Sequence, residues 1–217
     1  MESKRINMAD SIADLHLSTE ALIQYAYQKL QPKHFDIENY CYTFIFRLAA
    51  ARACLNDIRA TLEHSAILGE NETQTRLVKE SEASIFHAGG AFEAFGQLLN
   101  LTLSLGFPEA TAGRKQGVSY AKARQAIISN MPTSPIRDAL SSTDTQNFID
   151  ELKSVRDQIT HRRLLDYRIR IDGAGIWQPY VLTDNQSERP LVPFLERLVL
   201  HAEKQAEKCA AALVASV

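Results

Sequence analysis

The sequence predicts an all-α protein, an antiparallel bundle of long helices with one small β-hairpin near residues 167–182. Three observations predict it. Nine glycines and seven prolines in 217 residues leave long stretches unpunctuated, and stretches rich in Ala, Leu, Gln, Glu, Lys and Arg favour helix. Apolar residues recur at helical spacing over most of the chain, and the period changes to two only once, after residue 166. With 45% apolar and 23% charged residues the chain can bury a real core. No repeat or composition break marks a second domain, so residues 1–217 are expected to form one helical domain with a C-terminal hairpin-helix extension.

The elements follow in order. Met8 to Gln31 carries Ile12, Leu15, Leu22, Tyr25 and Leu30 on one helical spacing, and Pro32 closes it. Asp36 offers an N-cap for a second helix over 37–68, which Gly69 ends. Asn71 or Thr73 opens a third helix through about Leu105, with Gly89-Gly90 in its middle as a kink or close-packing point. Gly106-Phe107-Pro108 stops it, 109–117 reads as loop, and a shorter helix runs from Ser119 to Asn130. The turn 131–135 leads to a brief helical piece ending near Leu140. Thr143 and Gln146 form a capping box that opens a helix from Asp144 to about Leu165. Tyr167, Ile169 and Ile171 then alternate with polar residues, Gly173-Ala174-Gly175 turns, and Ile176 to Leu182 returns, with Pro179 predicting an edge strand. A polar loop over 183–189 and Pro190 lead into a last helix through about Val214.

Composition excludes several function classes. The net charge of -2 gives no whole-molecule case for a nucleic-acid or membrane binder. Cys41, Cys54 and Cys209 fit neither a CxxC clip nor a disulfide framework and are expected as buried free thiols. The first residues, MESKRINMAD, have no apolar leader, and the most apolar stretch, 98–107, is broken by polar residues, so a cytoplasmic protein without membrane insertion is expected. No two of His16, His34, His64, His87, His161 and His201 are spaced i,i+4, and neither HExxH nor a Glu-x-x-His pair occurs, so no metal site is predicted. The absence of a Walker loop, GxGxxG or G-x-S-x-G elbow likewise predicts no cofactor. His64 suits a helix C-terminus, and His87, near Phe86, Phe92 and Phe95, reads as a hydrogen-bonded histidine packed among aromatics. The run Phe35, Tyr40, Tyr42, Phe44, Phe46 reads mostly as core and partner surface.

One helix carries chemistry. In the segment 147–163, Phe148, Leu152, Val155 and Ile159 make a narrow apolar stripe, which leaves Lys153, Arg156, Asp157, Thr160 and His161 away from the core. Asp157 and His161 are i,i+4 neighbours, and Arg156 and His161 bound the polar face about 140° apart.

The string Arg156-Asp157-Gln-Ile-Thr-His161 resembles the R-x(4-6)-H signature of the HEPN superfamily of all-helical domains, where Asn, Asp or His often follows the arginine. The match covers six residues, and the general helical likeness about 73–166. Arg163 stands where an aromatic often follows the histidine in toxin members, and no nucleotidyltransferase domain is fused. The resemblance implies a metal-independent endoribonuclease of a stress, defence or toxin-antitoxin system, in which arginine and histidine of two subunits meet and the ribose 2'-OH attacks to leave a cyclic phosphate. Carried over, His161 is the general acid or base, Arg156 stabilises charge on the phosphorane oxygens, and Asp157 orients one of them. Two side chains 140° apart on one helix do not readily converge on one phosphate, whereas two such helices about a two-fold bring each Arg156 towards the other His161, so a homodimer is expected.

Charge by segment supports an RNA partner. Residues 111–170 hold 11 Lys and Arg against 6 Asp and Glu, a net of +5, while 1–110 nets -5 and 171–217 nets -2. Lys153, Thr160, Arg162, Arg163, Arg168 and Arg170 are the candidate RNA contacts. The alternative is a non-catalytic helical protein-interaction module in which Arg156, Asp157 and His161 form a structural network and the arginines flank a hairpin.

Overall fold

The computed structural model describes residues 8–108, 117–160, 166–171, 177–182 and 188–217. Eight helices and three strands occur among them: α1 (Met8–Lys29), α2 (His34–Glu63), α3 (Ser65–Leu68), α4 (Glu70–Thr102), α5 (Tyr120–Asn130), α6 (Pro135–Ser141), α7 (Thr143–Thr160), β1 (Asp166–Ile171), β2 (Trp177–Leu182), β3 (Glu188–Pro190) and α8 (Leu191–Val214). The all-α class with a small antiparallel sheet is therefore observed. The chain divides into two compact units, one of Met1–Phe46, Gly90–Asn147 and Ala202–Val217, the other of Arg47–Gly89 and Phe148–His201.

In the first unit, α1 buries Leu15 and Leu22, α2 Ile37 and Phe44, and α4 Phe95, Leu98 and Leu99. Phe44 and Phe95 stack with ring centroids 5.1 Å apart. Each such ring removed from water contributes about 1.5–3 kcal/mol. Helices α5 and α6 open close to where the sequence places them, on serine caps that the sequence reading did not single out. Ser119 accepts from Lys122 N, and Ser134, with Pro135 next in the first turn, accepts from Arg137 N. Gly96 lets α5 come close: a Cβ there would lie 2.7 Å from both Tyr120 Cα and Tyr120 N. Buried Gln97 locks the same junction by donating to Val118 O at 2.7 Å.

In the second unit, α2 contributes Leu48, Leu55 and Ile58, α4 Leu77 and Ile85, α7 Phe148, Leu152 and Val155, and α8 Phe194, Leu195 and Leu198. Buried Ser84 donates to Ala51 O at 2.9 Å, tying α4 to α2. The sheet has strand order β1-β2-β3, with Ile169 opposite Pro179 and Val181 opposite Arg189. Val181 and Pro179 are buried, while Arg168, Arg170 and Gln178 share the exposed face. The pleat alternates faces residue by residue.

Several expectations change. The second helix starts at His34, so Asp36 sits inside its first turn instead of capping it. It stops at Glu63; the chain turns at His64 and resumes as α3 before Gly69, whose φ of 78° few residues but glycine adopt. The cap of α7 lies one residue before the expected Thr143: Ser142 Oγ accepts from Thr145 N at 3.4 Å, and Gln146 N bonds to Ser142 O at 3.0 Å. A third strand replaces part of the expected loop and takes Pro190, so α8 begins at Leu191. Strand β2 is thus central over 180–182, yet β3 ends opposite Tyr180, leaving Pro179 just beyond its reach. A residue with no N–H is tolerated where that second neighbour is missing. Helix α4 runs through Gly89-Gly90, and of the two roles expected there close packing is the one seen at Gly89. The expected loop over 109–116 and hairpin turn over 173–175 lie outside the described residues.

Candidate functional site

Helix α7 is oriented by its apolar stripe. Phe148, Leu152 and Val155 are buried and Ile159 half-buried, which turns Lys153 to solvent and leaves Arg156 and Asp157 half-buried on the flanks. Arg156 lies on the flank that meets α4. A Cβ at Gly89 would stand 3.0 Å from Arg156 Cδ and 3.7 Å from its Nη1. The absence of a side chain at Gly89 therefore makes the notch in which the arginine's aliphatic stem rests, and ordering that long side chain in advance spares entropy that binding would otherwise consume.

The structure places Lys153, Arg156 and Asp157 together on this helix. Thr160 is its last residue, with its side chain outside the described residues, as are His161, Arg162 and Arg163. Arg168 and Arg170 project from one face of β1 and converge on Glu188 of β3. Arg168 Nη1 lies 2.9 Å from Glu188 Oε1, and Arg170 Nη2 pairs with Oε2. The Arg170 guanidinium also sits 4.8 Å from the Tyr180 ring centroid. This face is basic by one charge fewer than the arginines alone suggest, and both side chains remain 59% exposed.

A charged cluster that sequence reasoning missed lies on the other flank of α7. Glu151 accepts from Arg197, with Nη1 at 2.8 Å, and Arg189 Nη1 stands 3.5 Å away. The hydrogen bond from Arg197 is the main reason the Glu151 carboxyl is held below the ordinary carboxylate range, partly offset by burial. Both guanidinium groups lie over Phe194, at 5.8 and 5.9 Å from its centroid, an arrangement that favours cations on an aromatic face. Glu151 lies 38 residues from Arg189 of β3 and 46 from Arg197 of α8, so no local pattern in the sequence pointed to the cluster.

Burial pushes Cys41 and Cys209 up to about 12 and Cys54 up to about 11, and all three are free. His64 follows α2, its Nδ1 2.7 Å from Ala60 O, as expected for a histidine at a helix end. His87 departs from expectation: its Nδ1 is buried without a hydrogen-bond partner. Burial, and then the charge of Arg47, push its pKa below the ordinary imidazole value. A groove of about 640 Å³ lies where α2, α3 and α4 meet, lined by Thr61, His64, Leu68 and Arg76 among others. Two ion pairs sit in its wall, Arg76 with Glu72 at 2.8 Å and Lys79 with Glu80 at 3.1 Å, and it contains none of the sequence-predicted site residues. Among the described residues no three of His, Cys, Asp and Glu stand together as a metal site, and no helix is long and apolar enough to cross a membrane.

With this geometry in hand, comparison with protein-family models, with curated proteins and with solved structures returned no match.

Proposed function

We propose that the chain is a HEPN-like, metal-independent endoribonuclease whose active site is completed at a homodimer interface, with Arg156 and Asp157 of one subunit acting beside His161 of the other. The observation that carries the reading is the seat of Arg156: α4 leaves a side-chain-free notch at Gly89 for its stem. The two neighbouring stretches of the sequence motif then divide the work. Arg156 presents a planar, permanently charged donor to the phosphorane oxygens. His161, near neutrality, takes the 2'-OH proton and returns one to the 5'-oxygen, leaving a cyclic phosphate and a free hydroxyl. Lys153, exposed on the same helix, and Arg168 and Arg170 on the sheet face supply backbone contacts to RNA.

A second reading, a non-catalytic protein-interaction module of the same fold, draws support from the pairing of Arg168 and Arg170 with Glu188, which serves the sheet itself. Incubation with total RNA in EDTA, beside Arg156→Ala and His161→Ala variants, separates the two. Cleavage lost in both variants is the expected result; intact RNA with the folded wild-type protein favours the interaction module.

A further inference from the structure

Helix α2 has two apolar faces. One is core, with Ile37, Phe44, Leu48 and Leu55 almost fully buried. The opposite face is exposed and steps by alternating fours and threes, the spacing at which helices pack along one another. Its first half is Phe35, Asn39, Tyr42 and Phe46, and its second half Ala49, Ala53, Asn56 and Ala60, all exposed and none charged. Phe35, Tyr42 and Phe46 are 61%, 59% and 68% exposed. A solvent-facing helical stripe ordinarily carries charge, and this one carries none from Phe35 to Ala60, until Glu63 closes the helix.

We propose that this stripe is an interface between two copies of the chain, α2 packed antiparallel on α2 about a two-fold axis between Phe46 and Ala49. The sequence is its own complement in that arrangement. Phe35 meets Ala60 of the partner subunit, Tyr42 meets Ala53 of the partner subunit, and Phe46 meets Ala49 of the partner subunit, each ring filling the space beside a methyl group. Asn39 meets Asn56 of the partner subunit, an amide pair that fixes the register. A parallel pairing instead stacks ring on ring at one end and leaves a gap between alanines at the other.

At about 200 Å² per ring, the three aromatics offer roughly 380 Å² of exposed surface per copy. That is nearly half of the ~800 Å² each partner of a stable dimer buries, and the alanine half of a stripe about 38 Å long supplies the apposed surface. Of the flanking charges, Arg59 is paired with Glu196 of its own chain and Glu38 accepts from Tyr27, which leaves Asp36 opposite Asp57 of the partner subunit. Added salt therefore does not weaken association, unlike contacts to phosphate. This interface does not rest on the α7 motif: a chain that pairs through both surfaces forms a tetramer, and one that pairs through α2 alone forms a dimer.

Sedimentation velocity on the full chain at micromolar concentration tests it. The expected result is an assembly whose mass halves in the Tyr42→Ser/Phe46→Ser double variant, with self-association weakened at least about a hundredfold and helical circular dichroism unchanged. Register is read by oxidising mixed single-cysteine chains, since Cys41, Cys54 and Cys209 are buried. Tyr42→Cys with Ala53→Cys gives a disulfide-linked pair, and Tyr42→Cys with Ala60→Cys does not. A monomeric wild-type protein, an unchanged mass in the double variant, or cross-linking indifferent to register overturns the proposal. Loss of RNA cleavage in Arg156→Ala with assembly intact leaves it standing, so it fails separately from the proposed enzyme.

Discussion

Two glycines on α4 look alike in the sequence and are expected to respond oppositely to one methyl group. At Gly96, a Cβ would stand 2.7 Å from Tyr120 Cα and N and 3.2 Å from Ser119 C, all backbone. Relief requires α5 to back away by more than half an ångström from a junction where Tyr120 is 3% exposed and its N–H donates to Glu93 at 3.2 Å. Overpacking of this kind costs about 1–3 kcal/mol, and weakening the Tyr120 and Gln97 hydrogen bonds adds about 1 kcal/mol each, against about 1 kcal/mol regained from helix propensity. Gly96→Ala should therefore lose about 2–4 kcal/mol. At Gly89 the obstructing atom is Arg156 Cδ at 3.0 Å, part of a flexible side chain. Gly89→Ala should be within about 1 kcal/mol of wild type in stability while displacing the arginine, and so lose most of any Arg156-dependent activity. Urea unfolding followed by circular dichroism measures the first quantity for both variants. A Gly96→Ala protein as stable as wild type would refute the close approach of α5, and a fully active Gly89→Ala enzyme would refute the seat of Arg156.

Other outcomes follow from the same contacts. Cys41 and Cys209, pushed up to about 12, and Cys54, up to about 11, hold almost no thiolate at neutral pH. A thiol reagent should thus label none of them in minutes on the native protein and all three in denaturant; rapid native labelling contradicts their burial. Glu151 is held low chiefly by Arg197, so its contribution is present above the ordinary carboxylate pKa and disappears as pH falls through the lower folded value. Glu151→Gln should cost at most about 1 kcal/mol near neutrality, because Arg197 is half-exposed, and progressively less as pH falls through the lowered value; a cost that does not change with pH means the pair is not the cause. Glu188→Gln releases Arg168 and Arg170 and should tighten RNA binding several-fold with a steeper salt dependence. Unchanged anisotropy titrations would remove the sheet face from the RNA contact.

Much of the architecture was legible because its signals are local. Pro32, Ser119, Ser134 and Gly106 mark boundaries by backbone chemistry that needs no tertiary context, and the observed helices begin or end beside them. The misplacements occur where tertiary contacts compete. Ser142, not Thr143, caps α7 since the Thr145 hydroxyl is drawn into the core, 2.8 Å from Gln205 Oε1 and 2.9 Å from Ala139 O. Strand β3 was invisible because Glu-Arg-Pro has no alternation of its own and is extended through its pairing with β2. On α2 the aromatics sorted by helix face: Phe44 is core, whereas Phe35, Tyr42 and Phe46 lie outside. The candidate site was legible as a string but not as a geometry. The mid-helix glycine pair signalled close packing, yet nothing in the sequence linked Gly89 to Arg156, sixty-odd residues later. Nor did it couple Arg168 and Arg170 to Glu188, or Glu151 to Arg189 and Arg197.

The proposed ribonuclease site shared between subunits is tested most directly by mixing two inactive variants. Arg156→Ala and His161→Ala chains are each denatured, combined in equal amounts, refolded and assayed for RNA cleavage in EDTA. Half of the resulting dimers are mixed, and each of these retains one site with both Arg156 and His161, so activity should return to about a quarter of the wild-type level. A mixture as inactive as its two parents, beside a wild-type protein that cleaves, would contradict the shared site.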